Sequence, residues 1–497
     1  MTWLLTLPIV IPFGAAILAF LLRGRPSGRW FSVGGAAVQV VVASLLMLAT
    51  LDRGVVAGQM GGWEAPFGIT LVTDLLSAVM VLITAVVALA VAVFALADVD
   101  ARMERLGFHA IFQVLIGGVT GAFLAGDLFN LYVWFEVMLI SSFGLLVMGG
   151  GRERIDGAVK YVALNLVSTI LFLTGIGLLY GMTGTLNLAG LSQAVEEADQ
   201  GLLTVVALAF MVAFGVKAAL FPLFFWLPAS YHTPSFAVSA VFAGLLTKVG
   251  VYALIRMFTL VFDHDIGLTH TILLWVAVLT MVTGVLGAAA QSDFRKILSF
   301  HIISQIGYMV LGLALYTPLA LVGAVFYLVH HIVVKTNLFL IAGVTQRLTG
   351  GTELSRIGGL YAAAPLLALL FLVPAFSLAG FPPLSGFWAK FVIVRASLEV
   401  GAWVVAAAAL AVGLMTIYSM TKIWAAAFWT PHPDGIEPTL ARLAPGERRA
   451  LLAPVIGLAL ITVGIGLFPQ PFLAFAEDVA AQLLDPSAYL AAVGGLL

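Results

Sequence analysis

The stretch Val212-Ala213-Phe214-Gly215-Val216-Lys217-Ala218-Ala219-Leu220-Phe221-Pro222-Leu223-Phe224-Phe225-Trp226-Leu227-Pro228 decides how this sequence folds. It is apolar enough to lie in a bilayer, yet it carries a lysine and is cut by Pro222. Proline removes a backbone donor and clashes with the preceding turn, so a helix is expected to kink or open there. Opened backbone at membrane depth is tolerated only where protein or water satisfies it. A charged side chain at that depth costs about 3 kcal/mol on insertion scales and generally faces a partner or a pathway. A broken helix beside a buried charge is the local pattern of an ion-transport site. The plainer reading is a lysine that snorkels to an interface or holds two helices together.

Composition sets the class. Of 497 residues, 62% are hydrophobic and only 9% charged, which reads as an all-α polytopic membrane protein. No polar segment is long enough for a separate soluble domain, so one membrane domain is expected. The net charge of −1 says little about partners, because the charges are sorted by loop. The absence of cysteine excludes disulfides, cysteine-ligated iron–sulfur clusters and a thiol nucleophile. No phosphate-cradling glycine loop is present, which argues against direct ATP hydrolysis. Neither a cofactor, a metal site nor a nucleic-acid partner is expected. The start Met1-Thr2-Trp3-Leu4-Leu5 lacks a basic region before its apolar run and reads as a first membrane helix rather than a signal peptide.

Hydropathy gives about fourteen spans by the twenty-residue criterion. They fall near 2–22, 31–51, 70–97, 107–125, 127–149, 158–181 and 202–227, then near 236–262, 269–290, 295–316, 318–347, 359–396, 403–429 and 451–468. The tail from Pro471 is broken by Glu477, Asp478 and Asp485 and reads as a surface helix. Loops after odd-numbered spans hold Arg23, Arg25, Arg29, Arg102, Arg105, Arg152, Arg154, Lys160, Arg295, Lys296, Arg347, Arg356, Arg442, Arg448 and Arg449. Loops after even-numbered spans hold only Arg53, with Glu64, Glu196, Glu197, Asp199, Asp263 and Asp265. The positive-inside rule then places both termini on the outer face of the cell membrane.

An internal repeat fits this plan. Ser141-Ser142-Phe143-Gly144-Leu145-Leu146-Val147-Met148-Gly149 is echoed by Ser304-Gln305-Ile306-Gly307-Tyr308-Met309-Val310-Leu311-Gly312. The spacing predicts two five-helix units, and an odd count inverts the second. The expected organisation is an N-terminal three-helix segment (1–106), two half-channel repeats (107–262 and 263–429) and a C-terminal helix with tail (430–497). The break at Pro222 has its counterpart at Pro382 and Pro383, inside Phe381-Pro382-Pro383-Leu384-Ser385-Gly386-Phe387-Trp388, with Lys390 just beyond.

Five ionisable residues fall in the middle of spans: Glu136, Lys217, Lys248, Lys335 and Lys390. His331 precedes Lys335 by four and shares its helical face. Burial pulls lysines toward neutrality and pairing opposes it, so such groups can pass protons along a row. Glu136 and Lys217 could instead be a buried pair that fixes packing. Lys248 and Lys335, with no carboxylate on neighbouring turns, are harder to explain as structure. His330 points to another face and is discounted. Lys422 reads as an interfacial anchor, Asp74 and Asp127 as helix caps, and His232 and Asp293 as candidates for an entry route.

The runs Phe214-Gly215-Val216-Lys217-Ala218-Ala219-Leu220-Phe221-Pro222-Leu223, Leu245-Leu246-Thr247-Lys248-Val249-Gly250-Val251-Tyr252 and Asp293-Phe294-Arg295-Lys296-Ile297-Leu298 resemble the proton-pumping membrane subunits of respiratory complex I and the large Mrp antiporter subunits. Within that family the chain resembles the D-type subunits of Mrp-type multisubunit cation/proton antiporters. The resemblance implies a glutamate–lysine pair at Glu136 and Lys217, a central relay at Lys248 and Lys335, and a terminal residue at Lys390. It implies a subunit that relays protons within a hetero-oligomeric membrane complex exchanging sodium for protons. The alternative it leaves is an N-like proton-pumping subunit of an NADH:quinone oxidoreductase; a lysine at 390 argues against the M-like type. A non-transporting membrane scaffold is the reading from a different class.

Overall fold

The computed structural model describes residues 2–64, 66–435 and 437–494. Apolar runs become helices because a bilayer leaves no other partner for backbone N–H and C=O groups. The first part contains α1 (Thr2–Leu21) and α2 (Gly28–Arg53), a short hairpin of β1 (Val56–Gln59) antiparallel to β2 (Thr70–Thr73), then α3 (Leu75–Asp98) and α4 (Ala101–Arg105). There follow α5 (Phe108–Leu124), α6 (Leu128–Val147), α7 (Arg152–Thr183), α8 (Leu188–Ala194), α9 (Gln200–Ala218), α10 (Trp226–Ser230), α11 (Phe236–Val241) and α12 (Thr247–Leu260). A π-helical turn, Phe242–Leu246, joins α11 to α12. The remainder is α13 (Ile266–Ala290), α14 (Phe294–Leu315), α15 (Pro318–Thr349), α16 (Leu360–Ala363), α17 (Pro365–Ala379), α18 (Ser385–Glu399), α19 (Trp403–Trp424), α20 (Pro445–Leu467), α21 (Pro469–Leu484) and α22 (Ser487–Gly494).

Among the described residues, twelve helices are long and apolar enough to cross a membrane. Two more apolar helices, α5 and α17, are shorter, which is why a length criterion separates them from the rest. The chain is thus an all-helical polytopic membrane protein. Most helices show one face outward; Gly28–Arg53 buries only 33% of its apolar window. The spans Phe236–Leu260 and Phe294–Leu315 bury 94% and Pro318–Thr349 buries 89%, so these three form the centre.

Helix starts follow the sequence closely. Asp74 accepts from the Ser77 N–H at 2.8 Å and Asp127 from the Asn130 N–H at 2.6 Å, so both are caps as their positions suggested. Prolines open α15, α17, α20 and α21, where a missing donor costs nothing.

Both proline signals produce breaks. After Ala218 the chain turns through Ala219 at φ +60°, passes Pro222 and resumes at Trp226. The opened backbone is answered by side chains: the Trp226 indole donates to the Val216 carbonyl at 3.0 Å, and Thr280 Oγ1 accepts from the Phe221 N–H at 2.9 Å. The second break runs from Gly380, at φ +96°, to Leu384 and separates α17 from α18. The peptide bonds Phe221–Pro222 and Pro382–Pro383 are cis.

One expectation is corrected here. Arg295 is not a loop residue but lies buried in the first turn of α14. The tail beyond α20 folds back against α3 and α15, burying Ala476, Val479, Ala480 and Leu483 while Glu477 and Asp478 stay exposed.

Close helix approach depends on glycine at one point in particular. A Cβ on Gly250 would lie 2.6 Å from the Ala218 backbone nitrogen, so α12 packs directly on the end of α9. Gly250→Ala should therefore cost about 1–3 kcal/mol by overpacking. It should lower the melting temperature of the purified protein, whereas Gly464→Ala, with open space around it, should not.

Candidate functional site

The first break ends at a charge. Lys217 occupies the last turn of α9, is buried, and places its ammonium 5.7 Å from the centroid of the Phe135 ring. Beside it is a cavity of about 20 Å³ lined by Tyr161, Asn165, Trp226 and Tyr231, room for about one water. Glu136, on α6, is near enough to act on Lys217 through its charge. The two make no ion pair within 4.0 Å, however. The Glu136 carboxylate instead accepts from Thr169 Oγ1 of α7 at 2.7 Å. The expected pair is therefore adjacent but not in direct contact. Glu136 is half-buried and shares its face of α6 with Ile140, which is 71% exposed, so this end of the site looks outward.

The next two lysines are enclosed in the three central helices. Lys248 follows the π-turn, a geometry that leaves carbonyls without their usual helical donors. It donates to the Ala243 carbonyl and to Thr247 Oγ1 at 3.3 Å. Lys335, on α15, donates to the Leu298 carbonyl of α14 at 3.0 Å. His331 lies one turn before Lys335, fully buried, with neither ring nitrogen bonded to protein. It feels the charges of both Lys248 and Lys335, so the structure brings these three together.

Lys390 closes the row. It lies in the second turn of α18, and its ammonium donates to the Ala379 carbonyl at the end of α17, 3.1 Å away. The ammonium also sits 5.1 Å from the Tyr308 ring. Around it is a groove of about 450 Å³ shared with Gly380, Phe391, Leu410 and Leu414. Leu414 is 68% exposed, so this end too reaches the outside of the bundle.

Several interior polar residues were not anticipated. His301 of α14 is fully buried, unbonded to protein, and lies within the electrostatic reach of Lys335 and Lys390. Tyr327 donates to Gln305 at 2.5 Å and stacks on Tyr308 at 5.1 Å. His330, set aside from the sequence, pairs its Nδ1 with Ser385 Oγ at 2.8 Å, directly beside the second break. Its neighbour in sequence, His331, had drawn attention by its spacing to Lys335; only the fold reveals that both faces of α15 are interior. Arg256 was also missed: it is buried and bonded to Asp74 at 2.6 Å. Lys422 donates to the Ala289 and Gln291 carbonyls at 3.2 and 2.6 Å, consistent with an anchor. His232 pairs with the Pro228 carbonyl at 2.8 Å, and burial holds its pKa below the ordinary value. Asp293 caps α14 and accepts from Thr352 at 2.6 Å.

These observations define a polytopic helical bundle with four buried lysines, three of them (Lys217, Lys248 and Lys390) at interruptions in its helices. Residues 125–416 match the family described as NADH:quinone oxidoreductase/Mrp antiporter, TM, and the chain belongs to that family. It is 46% identical over 492 residues to the D subunit of the Na(+)/H(+) antiporter of Alkalihalophilus pseudofirmus, covering 99% of both chains. Its structure is similar to a chain of the Mrp complex from Dietzia sp., with a TM-score of 0.90 at 34% identity over 99% of this chain and 100% of that one. It is likewise similar to a chain of respiratory complex I from Thermus thermophilus, with a TM-score of 0.80 at 28% identity over 97% and 99%.

Asp127 sets the start of α6, the helix that carries Glu136. Burial raises its carboxyl from 3.8 to about 6, against the pull of the Asn130 N–H. The folded state thus holds this proton more tightly than the unfolded chain, so the contribution to stability falls as pH rises from 3.8 to about 6. Asp127→Asn keeps an acceptor for the cap without the buried charge. Thermal unfolding should find it more stable than the parent above about pH 6 and little different near pH 4.

Proposed function

We propose that this chain is the D-type subunit of a multisubunit Na⁺/H⁺ antiporter and that it relays protons laterally through the membrane. The carrying observation is the row of buried cations from Lys217 through Lys248 and Lys335 to Lys390, whose ammonium groups have no carboxylate in direct contact. A proton held at Lys217 near Glu136 passes to Lys248, then through His331 and Lys335, and on to Lys390. Both ends of the row look outward, at Glu136 and at the Lys390 groove, which suits a subunit flanked by others in a hetero-oligomeric complex. The high identity to a D subunit of a named antiporter supports this reading over an N-like subunit of a quinone oxidoreductase. In this reading the helices number fourteen, with α5 and the broken pair α17–α18 counted as spans. The units 107–262 and 263–429 are inverted half-channels, flanked by 1–106 and 430–497.

The relay has a direct test. Glu136→Ala and Lys217→Ala should assemble into the complex and lose Na⁺-driven proton flux in vesicles by about a hundredfold, the low end of what a positioned proton carrier contributes. Lys390→Arg should assemble and transport poorly, because arginine keeps the charge but does not release its proton at usable pH. Normal rates in any of the three would remove that residue from the relay.

The orientation is tested separately. With basic loops inside, cysteines at Arg25, Arg154 and Arg356 should be shielded from an impermeant reagent in intact cells. Outside labelling of any two would reverse the proposed topology.

A further inference from the structure

Two apolar recesses, of about 310 and about 190 Å³, lie between α3 and α20 and share Val86 and Ile461, so they form one crevice. From Val93 to Val79 it follows α3 for about 21 Å at 1.5 Å per residue. That exceeds the depth of one leaflet, half of a hydrocarbon core about 30 Å thick. Small residues create the space: Ala90, Ala453 and Gly457 line its wider part, and a Cβ on Gly457 would meet nothing within 4 Å. Ala453 and Gly457 are exposed, so the crevice opens sideways on the apolar surface of the bundle. Its far end is closed by Phe326 and His330 of α15 and by Phe472 and Phe475 of the folded-back tail. His330 is the one polar residue in the wall, and its Nδ1 is already paired with Ser385.

The chemistry of the wall selects the occupant. Water needs two or more polar partners and finds none here, while an unfilled space forfeits contacts for every atom that lines it. A helix about 10 Å across and as long as the crevice would need several times these volumes, whereas a hydrocarbon chain fits lengthwise. The wider end also carries charge. Arg449 precedes Ala453 by four residues and Gly457 by eight, which sets all three on one face of α20. Arg448 and Arg449 are exposed, and neither makes an ion pair among the described residues. Acids of the adjoining segments are engaged: Glu447 holds Arg347 at 2.6 Å, Glu104 lies 3.8 Å from Arg29, and Asp100 and Asp98 accept from the Met103 and Ala237 N–H groups. Asp434 and Glu437 belong to the preceding loop, which packs on Gly359 and Thr349.

We propose that the crevice binds one anionic phospholipid, with an acyl chain laid between α3 and α20 and the phosphate on Arg448 and Arg449. The inference stands on the fold and does not depend on which ion the subunit moves. A guanidinium offers phosphate a planar pair of donors, and its long stem lets it reach from the apolar face of α20 to the headgroup layer. The hydrocarbon supplies little preference of its own, because the surrounding bilayer is equally apolar; the fit of the chain fixes the place and the arginines fix the class of lipid. The chain end rests on Phe326 and His330, and His330 reaches Ser385 beside the second break at 2.8 Å. The lipid thus completes the packing around α15, the helix that carries Lys335.

The assembled complex would be reconstituted with phosphatidylglycerol carrying a diazirine at the end of one acyl chain, or with phosphatidylcholine carrying the same chain. Irradiation should place adducts of the phosphatidylglycerol on residues 325–330 and 472–476, read by peptide mass spectrometry. Gly457→Leu should lower their yield about tenfold, the scale of overpacking a filled space. Gly177→Leu on α7, also open around its Cβ, should leave the yield unchanged. Replacing both arginines, Arg448→Gln with Arg449→Gln, should lower the phosphatidylglycerol yield at least about fivefold and leave the phosphatidylcholine yield as it was. Equal yields from the two lipids in the parent overturn the anionic headgroup, and adducts undiminished in Gly457→Leu overturn the site. If Gly457→Leu does not assemble, Ala453→Leu is read in the same way. A photoreactive benzoylphenylalanine placed at Ala453 should capture lipid; capture of a neighbouring subunit in its place would make the crevice a protein interface and overturn the proposal.

Discussion

An ammonium group without a counter-ion inside a bilayer must find its acceptors in the backbone, and this constraint organises the protein. Helical carbonyls are already engaged by the helix's own N–H groups, so a good acceptor is created chiefly where the helix is interrupted. Lys248 takes the Ala243 carbonyl within the π-turn, and Lys390 takes the Ala379 carbonyl where α17 stops. Lys335 takes the Leu298 carbonyl of a neighbouring helix. Lys217, at a break as well, has the Phe135 ring, a small cavity and the nearby charge of Glu136. These arrangements satisfy a charged lysine without the deep hold of a carboxylate. A carbonyl stabilises the ammonium form less than a carboxylate does, which is what the proposed relay requires of its members.

The same interruptions would be ruinous if they faced lipid. The Trp226 indole, Thr280 and the two serines Ser377 and Ser385 occupy the positions that answer the opened backbone. Interior location follows: the central spans are buried on nearly every side, and peripheral helices supply the apolar surface that meets lipid. Gly250 lets α12 lie against the end of α9, which brings Lys217 and Lys248 onto adjoining elements. Packing, in this protein, is what sets the spacing of the charges.

Proline made both large breaks legible in the sequence, because a missing donor has a structural consequence wherever it falls. The buried lysines were legible for a similar reason: charge is rare in an apolar span and must be explained. The π-turn was not, since Phe242–Leu246 contains no proline and its apolar side chains suit an ordinary helix equally well. His301 and His330 were passed over because a lone histidine carries no marker of its partners, and theirs come from other helices. The bond between Asp74 and Arg256 links residues far apart in sequence. Asp74 read as a cap, which it is, and nothing local announced its second role.

Buried arginines and lysines occupy different depths, and α11–α12 shows the division. Arg295 stacks over Phe236 at one end of this span, and Arg256 lies twenty residues on at the other, about 30 Å away at 1.5 Å per residue. Lys248 falls between them. Arg256 is held by Asp74 at 2.6 Å and flanked by the Tyr252 and Tyr489 rings, at 5.5 and 5.3 Å, so the folded-back tail completes its surroundings. Gln482 of the same tail accepts from the Leu75 N–H at 3.1 Å, beside the Asp74 cap. Arginine suits these ends because it keeps its charge under all usable conditions and there makes fixed structural bonds. In the proposed relay the step from Lys248 toward Lys335 runs across this helix, from α12 to α15, and not along its axis.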